Sequence, residues 1–213
     1  MTSAAALASA GPLSATIVVH GSKSATARGY VLAALASGPS VLTGVLDSRD
    51  TRLMRAALAG LGVGFTDLSD GVVQVTPPSR FTPAAVQVGL AGTIMRFVPP
   101  IAALAEGASR FEGDDEAAAR PVFPLLDGLA QAGVRVEHPR SLPFVVHGTG
   151  VVPGGAVTID ASGSSQFVSG LLLAGARFEQ GLDLRHEGGT LPSRPHIDLT
   201  LAMLRERGVR VTS

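Results

Sequence analysis

A short glycine motif recurs three times in this 213-residue chain, and it constrains the fold more than any other feature. The segments LGVGF (61–65), AGVRV (132–136) and RGVRV (207–211) each place a glycine before alternating apolar residues, directly after an apolar helical pattern. Their glycines, nearly evenly spaced, are Gly62, Gly133 and Gly208. Self-similarity at an almost constant period indicates one structural unit that is used repeatedly along the chain.

Each unit predicts the same order of elements: strand, polar loop, helix, strand, second helix and closing hairpin. The first strands are TIVV (16–19), AVQV (85–88) and VTID (157–160). After the glycine motif the first two units continue into a hairpin, whereas the third offers only VRVTS. We therefore predict an α/β (α+β) fold with pseudo-threefold βαβαββ repeats, at about 16–80, 84–150 and 155–213. The third repeat is incomplete, and we expect the chain to be a fragment.

The domain organisation follows from these repeats. Residues 1–12 contain small residues without a basic start or a sustained apolar core, which predicts a disordered leader and not a signal peptide. Residues 13–20 are predicted to form a strand that belongs to, or crosses toward, another domain absent from this chain. Residues 21–213 then form one substrate-binding domain. Pro99 and Pro100 fall inside the apolar helix of the second unit and should kink or shorten it.

Composition excludes several classes of function. Lys plus Arg and Asp plus Glu both number 17, so the net charge favours neither nucleic acid nor an acidic membrane as a partner. The sequence has no cysteine, which removes disulfides and thiolate chemistry and fits a cytoplasmic location. No run of about 18 apolar residues predicts a membrane span. The five histidines lack metal-ligand spacing, so we expect no metal and no cofactor.

The polar loops predict an anion-binding face. Each loop opens a helix, and the unpaired N–H groups of a helix start favour anions. Packing about a pseudo-threefold axis would gather Ser22, Lys23, Ser24 and Arg28 from the first unit, Gly92, Thr93, Arg96 and Arg120 from the second, and Ser164, Ser165, Gln166, Ser193 and Arg194 from the third. Each motif alone also fits a structural role. The serines could be ordinary caps, Arg96 could tie helices together, and Arg120 could be a surface charge.

Five ordered motifs resemble those of the enolpyruvyl transferases. They are GSKSATAR (21–28), GLAGTIMRF (89–97), GDDEAAARP (113–121), ASGSSQFVSGLLLA (161–174) and LPSRPHIDLT (191–200). Within that group the chain is similar, from about residue 13 to its end, to the EPSP synthase (3-phosphoshikimate 1-carboxyvinyltransferase) family of actinobacterial type. The resemblance implies transfer of the enolpyruvyl group from phosphoenolpyruvate to the 5-hydroxyl of shikimate 3-phosphate, with release of phosphate, in the shikimate pathway of aromatic amino-acid biosynthesis.

The resemblance also implies roles for individual residues. Lys23 matches a catalytic lysine that contacts both substrates. The further shikimate 3-phosphate ligands would be Ser24 and Arg28 at the carboxylate, Ser164, Ser165 and Ser193 at the phosphate, and Gln166. The further phosphoenolpyruvate ligands would be Gly92, where glyphosate also binds, Arg120 and Gln166. The family places this site in a cleft between two domains.

Three positions depart from the family pattern, namely His20, Ala27 and Leu90. The acid and base carboxylates of the family come from its other domain, so we expect these residues alone to be inactive and to need that C-terminal domain. Two alternatives stay open. One is a non-catalytic module that binds shikimate 3-phosphate or another small anion. The other is a relative of the transferases that act on UDP-N-acetylglucosamine, although the GAKN-type loop and reactive cysteine typical of those enzymes do not occur here.

Overall fold

The computed structural model describes residues 14, 16–17, 19–138 and 140–212, and the predicted leader, residues 1–12, lies outside them. Helices and strands alternate along these residues. The helices are α1 (Lys23–Ala34), α2 (Arg49–Gly60), α3 (Gly92–Phe97), α4 (Pro99–Ala102), α5 (Asp115–Ala118), α6 (Phe123–Gln131), α7 (Ser165–Gly175) and α8 (Arg194–Arg205). The strands are β1 (Ser40–Thr43), β2 (Gly64–Ser69), β3 (Val72–Thr76), β4 (Ala85–Gln87), β5 (Glu106–Glu112), β6 (Arg135–Glu137), β7 (Phe144–Thr149), β8 (Gly155–Ile159) and β9 (Leu182–His186).

The second unit shows the complete sheet of the repeat. Its strand order is β4-β5-β7-β6, with β4 parallel to β5 and the other neighbouring pairs antiparallel. The first unit reproduces three of these positions in a sheet of order β1-β3-β2, and the third reproduces the parallel pair β8-β9. The mixed α/β architecture predicted from the repeats is therefore present.

Two predicted strands have no ladder partner among the described residues. The described residues of segment 13–20, which include Ile17 and Val19, are exposed and pair with no described strand. Residues 209–212 follow the third glycine motif but likewise lie outside any strand. The reason is that a strand exists only through its ladder partners. In the complete unit β6 pairs with β7 and not directly with β5, and the third unit has no described strand in the β7 position.

The repeated glycines end their helices in the same way. Gly62, Gly133 and Gly208 have φ values of 98°, 95° and 78°, in the left-handed region that favours glycine. The next residue in each case donates its N–H to a carbonyl five positions back, in the bonds Val63 to Leu58, Val134 to Leu129 and Val209 to Leu204. This bond is typical of a glycine-terminated helix, so the repeat predicted from sequence corresponds to one recurring helix end.

The first helix of the second unit is divided, as its prolines predict. It runs as α3 and α4, with Val98 as the boundary between them. Proline has no N–H to donate and its ring collides with the preceding turn, so a continuous helix cannot pass through Pro99 and Pro100. Both prolines are buried and belong to the core.

Helix α7 lies at the centre of the packing. Most of its residues are buried, and it contacts α1, α3, α4, α6 and α8. The approach to α3 is close because position 170 is glycine: a Cβ there would collide with the Arg96 carbonyl oxygen and lie 3.1 Å from a Leu125 methyl group. None of the helices in the described part of the chain has the length and apolar character needed to cross a bilayer.

We expect Gly170→Ala to destabilise the fold by about 1–3 kcal/mol, because the added methyl group meets backbone that cannot move without separating two buried helices. Urea unfolding followed by circular dichroism measures this change. Gly38→Ala is the matched control, since no atom lies within 4 Å of its added Cβ, and it should leave stability unchanged or slightly raised. Equal midpoints for the two variants would contradict the close approach.

Candidate functional site

The starts of α1, α7 and α8 meet around the side chain of Arg28. Its Nε donates to the Thr200 hydroxyl at 2.7 Å, and its Nη2 donates to the Ser169 hydroxyl and to the His196 carbonyl, both at 3.1 Å. Nη1 donates to the Ser24 carbonyl, also at 3.1 Å. One side chain therefore joins the first turn of α1 to elements of the third unit.

Arg28 is a buried cation whose hydrogen-bond partners among the described residues are all uncharged. It is 1% exposed, its guanidinium lies 5.1 Å from the centre of the Phe97 ring, and no Asp or Glu among the described residues forms an ion pair with it. Burial lowers the pKa of Arg28 to about 10. Four of its five N–H groups are used by the bonds above. A bidentate grip on a ligand carboxylate through both terminal nitrogens would therefore require Nη2 to release the Ser169 hydroxyl or the His196 carbonyl.

Ser169 and Thr200 are the site-supporting residues that sequence reasoning missed. Both are completely buried, and the Thr200 hydroxyl also lies 3.0 Å from the Ser169 hydroxyl and 2.9 Å from the His196 carbonyl. A weak signal was available, because Ser169 is the one polar side chain of α7 after Gln166. Its partner, 31 positions away, could not be recognised without the fold.

A second cluster joins α3 to α7. Arg96, buried at 6% exposure, donates through Nη1 to the Gly92 carbonyl at 3.3 Å and to the Gln166 side-chain oxygen at 3.1 Å. Its Nη2 donates to the Pro121 carbonyl at 2.8 Å. Burial, with a smaller contribution from the nearby charge of Arg120, lowers the pKa of Arg96 to about 10. The residues predicted for phosphoenolpyruvate thus surround a guanidinium whose role the sequence left open.

Gly92 is the point where this cluster is tightest. A Cβ at position 92 would lie 2.5 Å from Arg96 Nη1, 3.4 Å from the Gln166 oxygen and 3.6 Å from Arg120 Nη1. The structure therefore brings Gly92, Arg120 and Gln166 together. Arg120 is exposed, and its Nη1 donates to the Leu90 carbonyl at 2.9 Å. Because the acceptor is a main-chain atom, this bond does not depend on the Leu90 side chain, which departs from the family pattern. Thr93, by contrast, is buried.

Lys23 is the first residue of α1 and is half exposed. Its Nζ lies 2.8 Å from Asp50 Oδ2, in the first turn of α2, and Ser22 caps α1 by accepting a bond from the Ala25 N–H at 3.3 Å. Sequence reasoning did not identify Asp50 as a partner of this lysine. The ion pair fixes the ammonium group between the first turns of α1 and α2.

The three serines predicted for the shikimate phosphate occupy different environments. Ser164 caps α7 through a bond from the Gln166 N–H at 3.2 Å, and Ser165 is buried in the first turn. Ser193 precedes α8 in the left-handed region, with φ 50°, is exposed, and makes no capping bond with its side chain. Its neighbour Arg194 is exposed as well.

His186 and Asp160 contact the loop that leads to Ser193. His186 Nε2 lies 2.8 Å from the Gly189 carbonyl, while its Nδ1 accepts a bond from the Ala161 N–H at 3.1 Å. Asp160 accepts bonds from the N–H and hydroxyl of Ser162 at 2.9 and 2.5 Å, and these bonds keep the pKa of Asp160 below its ordinary value of 3.8. A side chain at Gly188, where φ is 142°, would collide with the Asp160 carboxylate.

Among the described residues, no group of three or more His, Asp or Glu side chains is placed to hold a metal ion. What the arrangement can do chemically follows from its donors. It combines two buried guanidiniums, an exposed arginine and lysine, an amide and the N–H groups of several helix starts. These groups suit a ligand that carries more than one negative charge.

Comparison with known proteins agrees with this description. The sequence model of the family described as EPSP synthase (3-phosphoshikimate 1-carboxyvinyltransferase) matches residues 7–213. A relative from Kocuria rhizophila, named 3-phosphoshikimate 1-carboxyvinyltransferase, is 54% identical over 210 residues, which cover 93% of this chain and 47% of the relative. The chain therefore spans about half the length of the curated relative it matches.

Solved structures support the fold. EPSP synthase from Acinetobacter baumannii superposes with a TM-score of 0.76 at 24% identity, over 92% of this chain and 45% of that one. The enolpyruvyl transferase NikO from Streptomyces tendae superposes with a TM-score of 0.55 at 19% identity, over 86% of this chain and 41% of that one. At these identities the likeness establishes the shared fold.

We expect Thr200→Val to destabilise the protein by about 1–3 kcal/mol, because the isosteric change leaves the buried Arg28 Nε without an acceptor. The midpoint of urea unfolding measures the effect. Thr66→Val, an exposed strand position, serves as the matched control and should change stability by no more than about 0.5 kcal/mol. A variant as stable as the control would show that the Thr200 bond contributes nothing.

Asp160→Asn should reduce the loss of stability in acid. The folded pKa of Asp160 is lower than its unfolded value, so its contribution is complete above about pH 4 and disappears as the pH falls through the folded value. Urea midpoints measured between about pH 6 and pH 2 should therefore fall less steeply in the variant. Ser162→Ala removes the main cause of the shift and should give the same change. If the urea midpoints of both variants fell with decreasing pH as steeply as those of the unmodified protein, this assignment would be contradicted.

Proposed function

The chain belongs to the EPSP synthase family, and we propose that it supplies the shikimate 3-phosphate-binding part of a 3-phosphoshikimate 1-carboxyvinyltransferase. One observation carries the proposal. Residues matching the family's motifs for both substrates lie at helix starts joined by two buried guanidiniums, neither of which has a carboxylate partner among the described residues. A site with this excess of positive charge favours an anionic ligand.

Shikimate 3-phosphate is assigned to the starts of α1, α7 and α8. Ser165 and Ser193 lie at the helix starts of the third unit, where N–H groups and the helix dipole favour a phosphate. Ser24 lies one turn before Arg28, which holds its carbonyl. In this proposal Ser164, Ser165 and Ser193 bind the phosphate, while Ser24 and Arg28 bind the carboxylate.

Phosphoenolpyruvate is assigned to the neighbouring start of α3. Gly92 has no side chain there, so the ligand can approach the backbone, and Arg120 Nη1 and the Gln166 amide lie at the same point. Arginine suits a carboxylate or a phosphate because its fork can donate two parallel bonds. Lys23, held by Asp50, would face both substrates.

The reaction joins the 5-hydroxyl oxygen of shikimate 3-phosphate to the enolpyruvyl group and releases phosphate. Lys23 would stabilise the charge that develops during this exchange, which is the usual function of a fixed cation in a closed site. In the family that this chain resembles, the acid and base carboxylates come from the other domain, and Asp50, which pairs with Lys23, is assigned neither role. The proposal therefore places those carboxylates on a C-terminal domain that closes over this face.

The binding experiment tests the substrate assignment and separates the alternatives. Isothermal titration calorimetry of the chain with shikimate 3-phosphate should show one site per chain, first alone and then with a complementary C-terminal half from an EPSP synthase. Phosphate release from phosphoenolpyruvate on mixing the halves supports the enzyme. Binding without phosphate release indicates a non-catalytic module, and no binding in either setting contradicts the substrate assignment. Titration with UDP-N-acetylglucosamine should give no heat.

We expect Lys23→Met to reduce phosphate release by the mixed halves at least about 100-fold, because it removes the cation that contacts both substrates. Arg28→Ala should also abolish turnover, through loss of its four bonds as well as its charge. Arg80→Met is the matched control, since Arg80 is an exposed cation paired with Glu106, as Lys23 is with Asp50. Wild-type turnover by Lys23→Met would exclude the proposed role.

Because Lys23 is the only lysine in the sequence, its contact with substrate can also be observed directly. Reductive methylation with ¹³C-formaldehyde labels that side chain and the chain's amino terminus. Shikimate 3-phosphate should shift the lysine resonance, and the Lys23→Met variant identifies which resonance that is. An unshifted lysine resonance at saturating ligand would place the substrate away from α1.

A further inference from the structure

Arg96 connects three separate parts of the proposed phosphoenolpyruvate site without being exposed to it. Its two terminal nitrogens reach the Gly92 carbonyl in α3, the Gln166 side chain in α7 and the Pro121 carbonyl beside Arg120. The side chain is more than nine-tenths buried, and its guanidinium lies 5.2 Å from the centre of the Phe167 ring. A buried group of this kind can affect a ligand at the site only through the residues to which it is hydrogen-bonded.

The bond to Gln166 determines which end of the amide faces outward. Arginine offers only donors, so the amide must present its oxygen Oε1 to Arg96. The amide nitrogen Nε2, with its two N–H groups, then points the other way. Among the described residues Nε2 has no acceptor, and Gln166 is only half buried. The amide is therefore oriented as a donor toward the open side of the cluster.

The bond to Pro121 acts on the adjacent arginine. Arg96 Nη2 holds the carbonyl of the residue that directly follows Arg120, and Arg120 Nη1 donates to the Leu90 carbonyl. Arg120 Nη1 is thereby held 3.6 Å from the position that a Cβ on Gly92 would occupy. The Gln166 side-chain oxygen lies 3.4 Å from the same position. Two like charges are kept close together, which an anion between the donors would relieve.

We propose that Arg96 is a positioning residue that fixes the amide of Gln166 with its N–H groups outward, so that Gln166 Nε2 and Arg120 donate together to one anionic group of phosphoenolpyruvate. The inference rests on the proposed function, and Arg96 itself does not touch the ligand. Its buried Nε has no partner in the described structure, so the three bonds made by the terminal nitrogens alone orient the side chain.

Two substitutions separate orientation from simple support of the fold. Arg96→Lys keeps the positive charge but cannot reach the Gly92, Gln166 and Pro121 acceptors together with one ammonium group. Gln166→Glu keeps an acceptor for Arg96 and adds a charge that pairs with it, so this variant should remain folded. It replaces the outward donors by carboxylate oxygens, which repel an anion.

The test uses the full ¹⁵N-labelled chain and the side-chain amide resonances of Gln166, identified by their absence from Gln166→Glu. In the unmodified protein the two amide protons should have distinct shifts away from those of a free glutamine. In Arg96→Lys they should move to free-glutamine values, whereas Arg80→Lys, an exposed control that pairs with Glu106, should leave them unchanged. Gln166 resonances that are identical in Arg96→Lys and the unmodified protein would overturn the proposal.

Ligand titration completes the test. With shikimate 3-phosphate present, phosphoenolpyruvate should shift the Gln166 resonances, and Arg96→Lys should weaken its binding about tenfold or more. Binding of shikimate 3-phosphate alone should change less, because Gln166 is only one of its several predicted ligands. Gln166→Glu that binds phosphoenolpyruvate as tightly as the unmodified protein would also overturn the proposal, even if Arg96→Lys failed to fold. Because the amide orientation is measured without ligand, a chain that binds no phosphoenolpyruvate would contradict the proposed function and leave the orientation result intact.

Discussion

Two buried guanidiniums, neither paired with a carboxylate in the described part of the chain, are the constraint on which this site depends. A buried cation is costly unless its N–H groups are satisfied, and here the acceptors are main-chain carbonyls, hydroxyl groups and one amide oxygen. Arg28 and Arg96 each lie over the ring of a phenylalanine from the first helix of the next unit, Phe97 and Phe167. Burial lowers the pKa of each to about 10, so both remain charged at neutral pH. The fold therefore holds uncompensated positive charge directly beneath its polar helix starts.

This placement follows from the repeated architecture. Each unit turns from a strand into a polar loop and then a helix, so three units packed about α7 direct their helix starts to a common region. The close contact between α3 and α7 depends on Gly170, where the α3 backbone occupies the position of a side chain. If those helices moved apart, the bond between Arg96 and Gln166 would be lost. The contact between α3 and α7 thus contributes to the core and also sets the geometry of the site.

The sheets show where the units differ. Only the second unit has all four strand positions among the described residues. Its strand β5 has a neighbour on each side, whereas the corresponding strands β1 and β9 each have a described neighbour on one side only. An unpaired edge readily accepts another strand. The chain spans about half the length of the curated relative that it matches.

The sequence by itself determined the units, because a glycine in a left-handed turn followed by alternating apolar residues has one local interpretation, and Gly62, Gly133 and Gly208 all adopt it. It also determined the break at Pro99, since proline removes a helix bond wherever it stands. The sequence could not determine whether residues 16–19 and 209–211 form strands here, because a strand depends on a partner that local sequence does not contain. The motifs indicated that Gly92, Arg120 and Gln166 belong to one site, but only the tertiary structure decided that Arg96 holds them together. The same is true of Ser169 and Thr200, which support Arg28 from positions far along the chain. Their roles arise from distances between units, and those distances are set by how the helices pack.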